Sequence, residues 1–134
     1  MPGLSDHSAL ASKNASVLEY LKNRIDDFPE WVVTVAFYEA LHNIEAAMAS
    51  EKDVLRTSCH KDRNELIRTH PNYKSIYYAY KSLYDVSCIA RYMHHGTINF
   101  SAYMPRAQIE SVVLANWLYK VKQFSAHRIK QSAP

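Results

Sequence analysis

Apolar positions in this chain recur at helical spacing, most clearly between Pro29 and Ala49. Val33, Ala36, Phe37, Ala40, Leu41, Ile44, Ala47 and Met48 follow one another at i, i+3, i+4 and i+7, which stacks them on one side of a helix. Trp31, Thr34, Tyr38, His42 and Glu45 form an adjacent stripe, and only Glu39, Asn43 and Ser50 point clearly away. So wide an apolar face belongs to a helix with partners on more than one side, central to a bundle. Before it, Leu10, Val17, Leu18, Leu21 and Ile25 predict an amphipathic helix from about Ser8 to Arg24. Asp26-Asp27-Phe28-Pro29 breaks the chain there, with an Asp to cap and Pro29 suited to the next first turn.

After Ser50 the polar run EKDVLRT reads as a connection, and Ser58 as the cap of a short helix from about Cys59 to Thr69, ended by His70-Pro71. Ile76, Ala79, Tyr80, Leu83, Val86 and Ala90 carry the next helix from Pro71 to about Met93. HHGTINFSAYM is a loop with the only interior glycine, Gly96, and Pro105 opens a last helix carried by Ile109, Val112, Val113, Leu114, Trp117, Val121 and Phe124. The expectation is an all-α domain of four long helices and one short one, with residues 1–7 and 128–134 as loose ends.

Composition narrows this further. The chain has 134 residues, 48% hydrophobic and 22% charged, which suits one globular domain able to bury a core. With two glycines in all, a turn-rich β fold is disfavoured. The net charge of +3 gathers partly in Lys120, Lys122, Arg128 and Lys130, and without a run of five or six like charges a solvated helix face accounts for it better than a nucleic-acid contact. Cys59 and Cys88 form no CxxC pair, so neither a zinc finger nor a disulfide framework is indicated. With no signal-peptide pattern and no 18-residue apolar run, a soluble cytoplasmic protein away from the membrane is expected.

The chemistry concentrates in SCHKDRNELIRTHP, Ser58 to Pro71. Positions seven apart differ by about 20° around a helix and roughly 10 Å along it, so Arg63 and His70 share a face with Asn64 beside them. A guanidinium fork and an imidazole flanking a phosphate suffice for metal-free RNA cleavage, although spacing alone is better explained by a solvated face with His70 at a helix end. Arg91, His94 and His95 form a second cluster, a phosphate contact or, with His60 or Cys59, a metal site; no HExxH-type spacing supports the metal. Tyr73, Tyr77, Tyr80 and Tyr84 make a stripe able to stack on bases, though such stripes more often serve core or dimer interface. His42 and Glu45, three apart, are expected to pair as a satisfied polar contact. There is no GxSxG elbow and no phosphate-cradling glycine loop.

Trp31, AFYEALHNIEA at Ala36–Ala46, SCHKDRN at Ser58–Asn64 and LYDVSCIARY at Leu83–Tyr92 together resemble the HEPN superfamily, over roughly residues 29–100. The resemblance implies an up-and-down four-helix bundle with a short extra helix, and metal-independent endoribonuclease activity in a toxin–antitoxin or antiviral defence setting. It implies no cofactor. Carried over onto this chain, Arg63 binds and polarises the phosphate, Asn64 holds the arrangement and His70, after six intervening residues, is the general acid/base. His60, one turn before Arg63, is the alternative histidine. Arg91, His94, His95, Tyr73 and Tyr77 are then candidate RNA contacts, with a homodimer closing one composite cleft and an antitoxin or defence-complex protein as a further partner. The alternatives are a non-catalytic helical module binding a nucleotide, RNA or partner protein, or a small structural subunit whose tyrosine stripe and Trp117 face only protein.

Overall fold

The computed structural model describes residues 2–92 and 99–133, and within these the chain is all-α with no strand. Helix α1 spans Leu4–Lys22, α2 Pro29–Ser50, α3 His60–Thr69 and α4 Tyr77–Tyr92. A single turn, α5, covers Phe100–Tyr103. The last helix, α6, runs over residues 106–132 as Arg106–Gln108, a wide-turned middle at Ile109–Leu118 and Tyr119–Ser132. No helix among the described residues is long and apolar enough to cross a membrane.

Helix α2 is the centre, packed by α1, α4 and α6. Pro29 occupies its first turn as expected, but the residue before it is Phe28, without a side-chain cap; Asp27 instead accepts from Arg24 Nε at 2.8 Å. Val32, Val33, Ala36, Phe37, Ala40, Ile44, Ala47 and Met48 are closed to solvent, with Ile67, Tyr80, Leu83, Ile109, Val113 and Val121 of the surrounding helices. Glu39, expected to point away, is also buried, because α6 covers that side and brings Lys122 Nζ to 2.8 Å from Glu39 Oε2.

The remaining differences from the pattern have local causes. Gly3 N–H donates to Asp6 Oδ2 at 3.0 Å and starts α1 at Leu4, four residues early. Leu10 and Val17 stay 40% and 42% exposed, since α1 lies along α2 and buries only a narrow stripe that includes Ala11 and Leu18. Cys59, not Ser58, is the residue before α3; the Ser58 hydroxyl donates to Asp62 Oδ2 at 2.8 Å. Pro71 opens no helix: the His70 carbonyl accepts from the N–H of Tyr73 and Lys74 at 3.0 and 2.9 Å, forming a turn that leads through a short 3₁₀ segment, Lys74–Ile76, into α4. The predicted loop before Pro105 contains α5, capped by the Asn99 side chain accepting from Ser101 N–H at 3.0 Å.

In α6 the turns widen, and the Tyr119 N–H points to the Leu114 carbonyl five residues back as well as to Asn116. Each wide turn adds a residue per hydrogen-bonded ring, so the inward positions Ile109, Val113, Leu118, Val121 and Ser125 step by four, five, three and four. The helix continues through Ser132, and the C-terminal stretch expected to be loose is tied down by Arg128, whose Nη2 donates to Glu51 Oε2 at 2.7 Å. At the other end residues 4–7 lie within α1.

Because Ile44 is closed on every side, Ile44→Ala leaves a cavity and is expected to cost about 2–5 kcal/mol in urea unfolding. Tyr20→Ala, at a side chain 75% exposed, is expected to stay within about 0.5 kcal/mol of the parent protein.

Candidate functional site

Helix α3 buries Arg63 and Ile67, one turn apart, against the protein while its other residues stay exposed or half-exposed. That placement turns the Arg63 guanidinium inward, 8% exposed, onto the buried carboxylate of Glu45 on α2. Arg63 Nε donates to Glu45 Oε1, and the Thr57 hydroxyl donates to the same oxygen at 2.6 Å. Burial works against the charge on Arg63, but the neighbouring Tyr80 and Glu45 outweigh it and hold the guanidinium above its ordinary pKa. The Tyr80 hydroxyl is buried beside Arg63, and burial pushes its phenol well above the usual value, with Arg63 opposing.

His60, one turn before Arg63, completes the group. Its Nδ1 lies 3.2 Å from Arg63 Nη1. An arginine has donors only, so Nδ1 accepts, and the single proton of the neutral ring sits on Nε2. The ring is flanked by Phe37 and Tyr84, at centroid distances of 5.7 and 5.3 Å. Burial first, then the charges of Arg63 and Arg91, lowers the His60 pKa and keeps the imidazole neutral at pH 7. Arg91 on α4 lies over Tyr92, Tyr38 and Phe37 at 5.1, 5.6 and 5.8 Å, donates to Tyr38 Oη at 3.0 Å and to the Ser87 carbonyl at 3.2 Å. The result is a half-open facet of a neutral imidazole, two guanidiniums and aromatic faces.

The other candidate residues fall elsewhere. His70 ends α3 outside this facet: its Nδ1 accepts from Asn72 N–H at 3.1 Å, its ring stands edge-on to Tyr73, and it lines a polar cavity of about 290 Å³ with Glu51, Asp53 and Arg128. Arg63 therefore meets His60 and not His70. Asn64 is half-exposed, with its Oδ1 buried and without a hydrogen-bond partner among the described residues. Tyr73 is core, closed to solvent, donating to Glu51 Oε1 at 3.2 Å, and so presents no face to a base. Tyr77 and Tyr84 are half-buried. His94 and His95 lie outside the described residues. Among the described residues no three His, Cys, Asp or Glu side chains are grouped to hold a metal. Two of the C-terminal cations are spent on carboxylates, Lys122 on Glu39 and Arg128 on Glu51.

His42 does not pair with Glu45, whose Oε1 is taken by Arg63 and Thr57. Instead His42 Nδ1 faces His7 Nδ1 of α1 at 3.2 Å, beside a cavity of about 200 Å³ that Glu45, Arg56, Thr57 and Arg63 also line. Thr57 and His7 escaped the sequence reading because one sits in a connection and the other near the chain's start, and no local periodicity ties either to α2. Comparison with known protein families, with curated proteins and with solved structures finds no match to this chain.

Both His42 and His60 are harder to protonate in the folded protein than in the unfolded chain. For His42 the cause is burial, then the facing His7, with Arg63 adding and Glu45 opposing. The unfolded state therefore takes up more protons as pH falls through the ordinary histidine value of about 6.5. Stability is expected to hold above that pH and to decline below it, as read by urea unfolding at pH 7.5 and 5.5. His42→Gln should flatten the decline; an unchanged slope would remove His42 from this role.

Proposed function

We propose that this chain is a HEPN-type helical module that cleaves RNA without a metal ion, with His60 rather than His70 as its acid/base group. In this reading α1, α2, α4 and α6 are the four helices of the bundle and α3 is the extra one. The three segments that carry the resemblance converge: AFYEALHNIEA supplies Phe37, Tyr38 and Glu45, SCHKDRN supplies His60 and Arg63, and LYDVSCIARY supplies Tyr84, Ser87 and Arg91. The observation that carries the proposal is the contact of His60 Nδ1 with Arg63 Nη1, which sets a neutral imidazole beside the two cations Arg63 and Arg91.

The chemistry follows from those groups. For the proton transfer the His60 ring gives up its contact with Arg63, and the unprotonated Nδ1 takes the proton of a ribose 2′-OH as that oxygen bonds to the adjacent phosphorus, while Arg91 and the released Arg63 Nη1 offset the charge that builds on the phosphoryl oxygens. The bond to the 5′-oxygen breaks and that oxygen takes a proton back from the imidazolium formed on His60, giving 2′,3′-cyclic phosphate and 5′-OH ends and restoring the neutral ring. Two copies meeting over this facet would form the composite cleft of a homodimer, and a cytoplasmic toxin–antitoxin or antiviral role, with an antitoxin or defence-complex partner, is part of the same proposal. A second reading, a non-catalytic module that binds RNA, a nucleotide or a partner protein, is favoured by one observation: Glu45 already holds Arg63 Nε, which leaves the guanidinium neutralised and buried.

The two readings separate in an RNA cleavage assay in EDTA. Cleavage is expected to fall about 10²–10⁴-fold in His60→Ala, to survive in His70→Ala, and to leave cyclic phosphate ends. Loss in His70→Ala with retention in His60→Ala would refute the assignment. A folded protein that cleaves nothing, with or without divalent metal, yet binds RNA in a salt-sensitive way weakened by Arg91→Ala, would establish the binding reading.

A further inference from the structure

Beside the His60 facet lies a second feature that cleavage chemistry does not use. Glu30, Trp31, Thr34, Ala90 and Arg91 line a cavity of about 260 Å³ between the start of α2 and the end of α4. Pockets for small ligands run to roughly 300–1,000 Å³, so this one suits a single planar ring system. Trp31 is 58% exposed, so its indole face is open to a ring entering the cavity. The Thr34 hydroxyl is already committed, donating to the Glu30 carbonyl at 2.7 Å. That leaves the Glu30 carboxylate as the acidic group on the cavity wall, and it makes no hydrogen bond or ion pair among the described residues.

A carboxylate accepts and does not donate, and its two oxygens suit a partner with two adjacent N–H donors. Among the four RNA bases only guanine offers that pair on its Watson–Crick edge, through N1–H and the 2-amino group; adenine and cytosine offer one amino group beside an acceptor, and uracil one N–H between carbonyls. Single-stranded bases are read in this way, splayed out, stacked on an aromatic ring and bonded along that edge. Arg91 joins the cavity to the facet, since it lines the one and its charge acts on His60 in the other. The Arg91 guanidinium on the same cavity wall is the group that can meet the phosphate of a nucleotide whose base stacks on Trp31.

We infer that this cavity is a base-recognition subsite for a guanine of single-stranded RNA, with Trp31 as the stacking face and Glu30 as the specificity-determining acceptor. The inference rests on the reading of the His60 facet as an RNA site, and the base preference is the part it adds. Glu30→Gln is the discriminating substitution, because the amide keeps size and stacking but replaces one acceptor with a donor.

The test uses Trp31 as its own probe. The chain has two tryptophans, so Trp117→Phe leaves Trp31 as the only indole, and its fluorescence is followed on titration with guanosine, adenosine, cytidine and uridine 3′-monophosphates. Quenching by the guanosine nucleotide is expected at concentrations roughly 10–100-fold lower than for the others, with that preference lost in Glu30→Gln and normal helix content retained by circular dichroism. Equal quenching by all four nucleotides, a preference unchanged in Glu30→Gln, or no quenching at all would overturn the subsite. Binding or cleavage of RNA by the same preparation, tested with His60→Ala alongside, reports separately on the facet. RNA turned over without guanine preference sinks the subsite and leaves the enzyme reading standing, whereas guanine-selective quenching without cleavage keeps the subsite and favours the binding reading.

Discussion

A guanidinium taken out of water must meet a carboxylate and enough further partners to offset its lost hydration, and the contact of Arg63 with Glu45 does this for the whole site. Breaking such a pair from one side leaves an uncompensated buried charge, a loss on the order of 3–5 kcal/mol. The pair joins α3, a helix of ten residues, to the central helix at a defined height and rotation. Thr57 adds a hydrogen bond to the same carboxylate oxygen and fixes the connection that leads into α3. His60, one turn earlier on the same face, is oriented as a consequence: its Nδ1 accepts from the guanidinium and its ring packs beside the touching pair of Phe37 and Tyr84.

That arrangement gives one charged pair two consequences. It holds α3 on the core, and it tunes a histidine from outside the histidine's own solvation. The partial burial of the ring disfavours its charged form most, and the cation beside it acts in the same direction. Arg91 contributes from α4 while its guanidinium rests on aromatic faces, an environment in which a weakly hydrated planar cation is comfortable. Neutral imidazole and fixed cations side by side are what a proton transfer at a phosphodiester needs, and they are equally serviceable for simple phosphate binding.

Much of the fold was legible because α2 advertises itself: a helix apolar on two adjoining stripes has to be central, and Pro29 marks its start. The failures came where a contact between distant segments overrode the local pattern. Glu39 read as solvent-facing because nothing in its own helix reveals that Lys122, on a helix about eighty residues later, will reach it. The step of five from Val113 to Leu118 follows from wide turns that uniform helical spacing does not describe. Arg63 and His70 share a face only while the helix continues, and α3 stops at Thr69 with His70 turning into extended backbone. The candidate site was legible as a neighbourhood, since Arg63, His60 and Arg91 were all singled out, but its internal pairing was not. Glu45 was assigned to its near neighbour His42, whereas the stronger, always-charged partner lay eighteen residues away on another helix.

The central claim is that Arg63 and Glu45 are energetically one unit, and a double-mutant cycle in urea unfolding with Glu45→Gln, Arg63→Gln and the double variant measures it directly. Each single change is expected to be strongly destabilising, and the double variant to cost clearly less than their sum, with a coupling above about 1 kcal/mol. Additivity within about 0.5 kcal/mol would contradict the account, because it would mean that the two charges hold their places independently and that the site is not built on their contact.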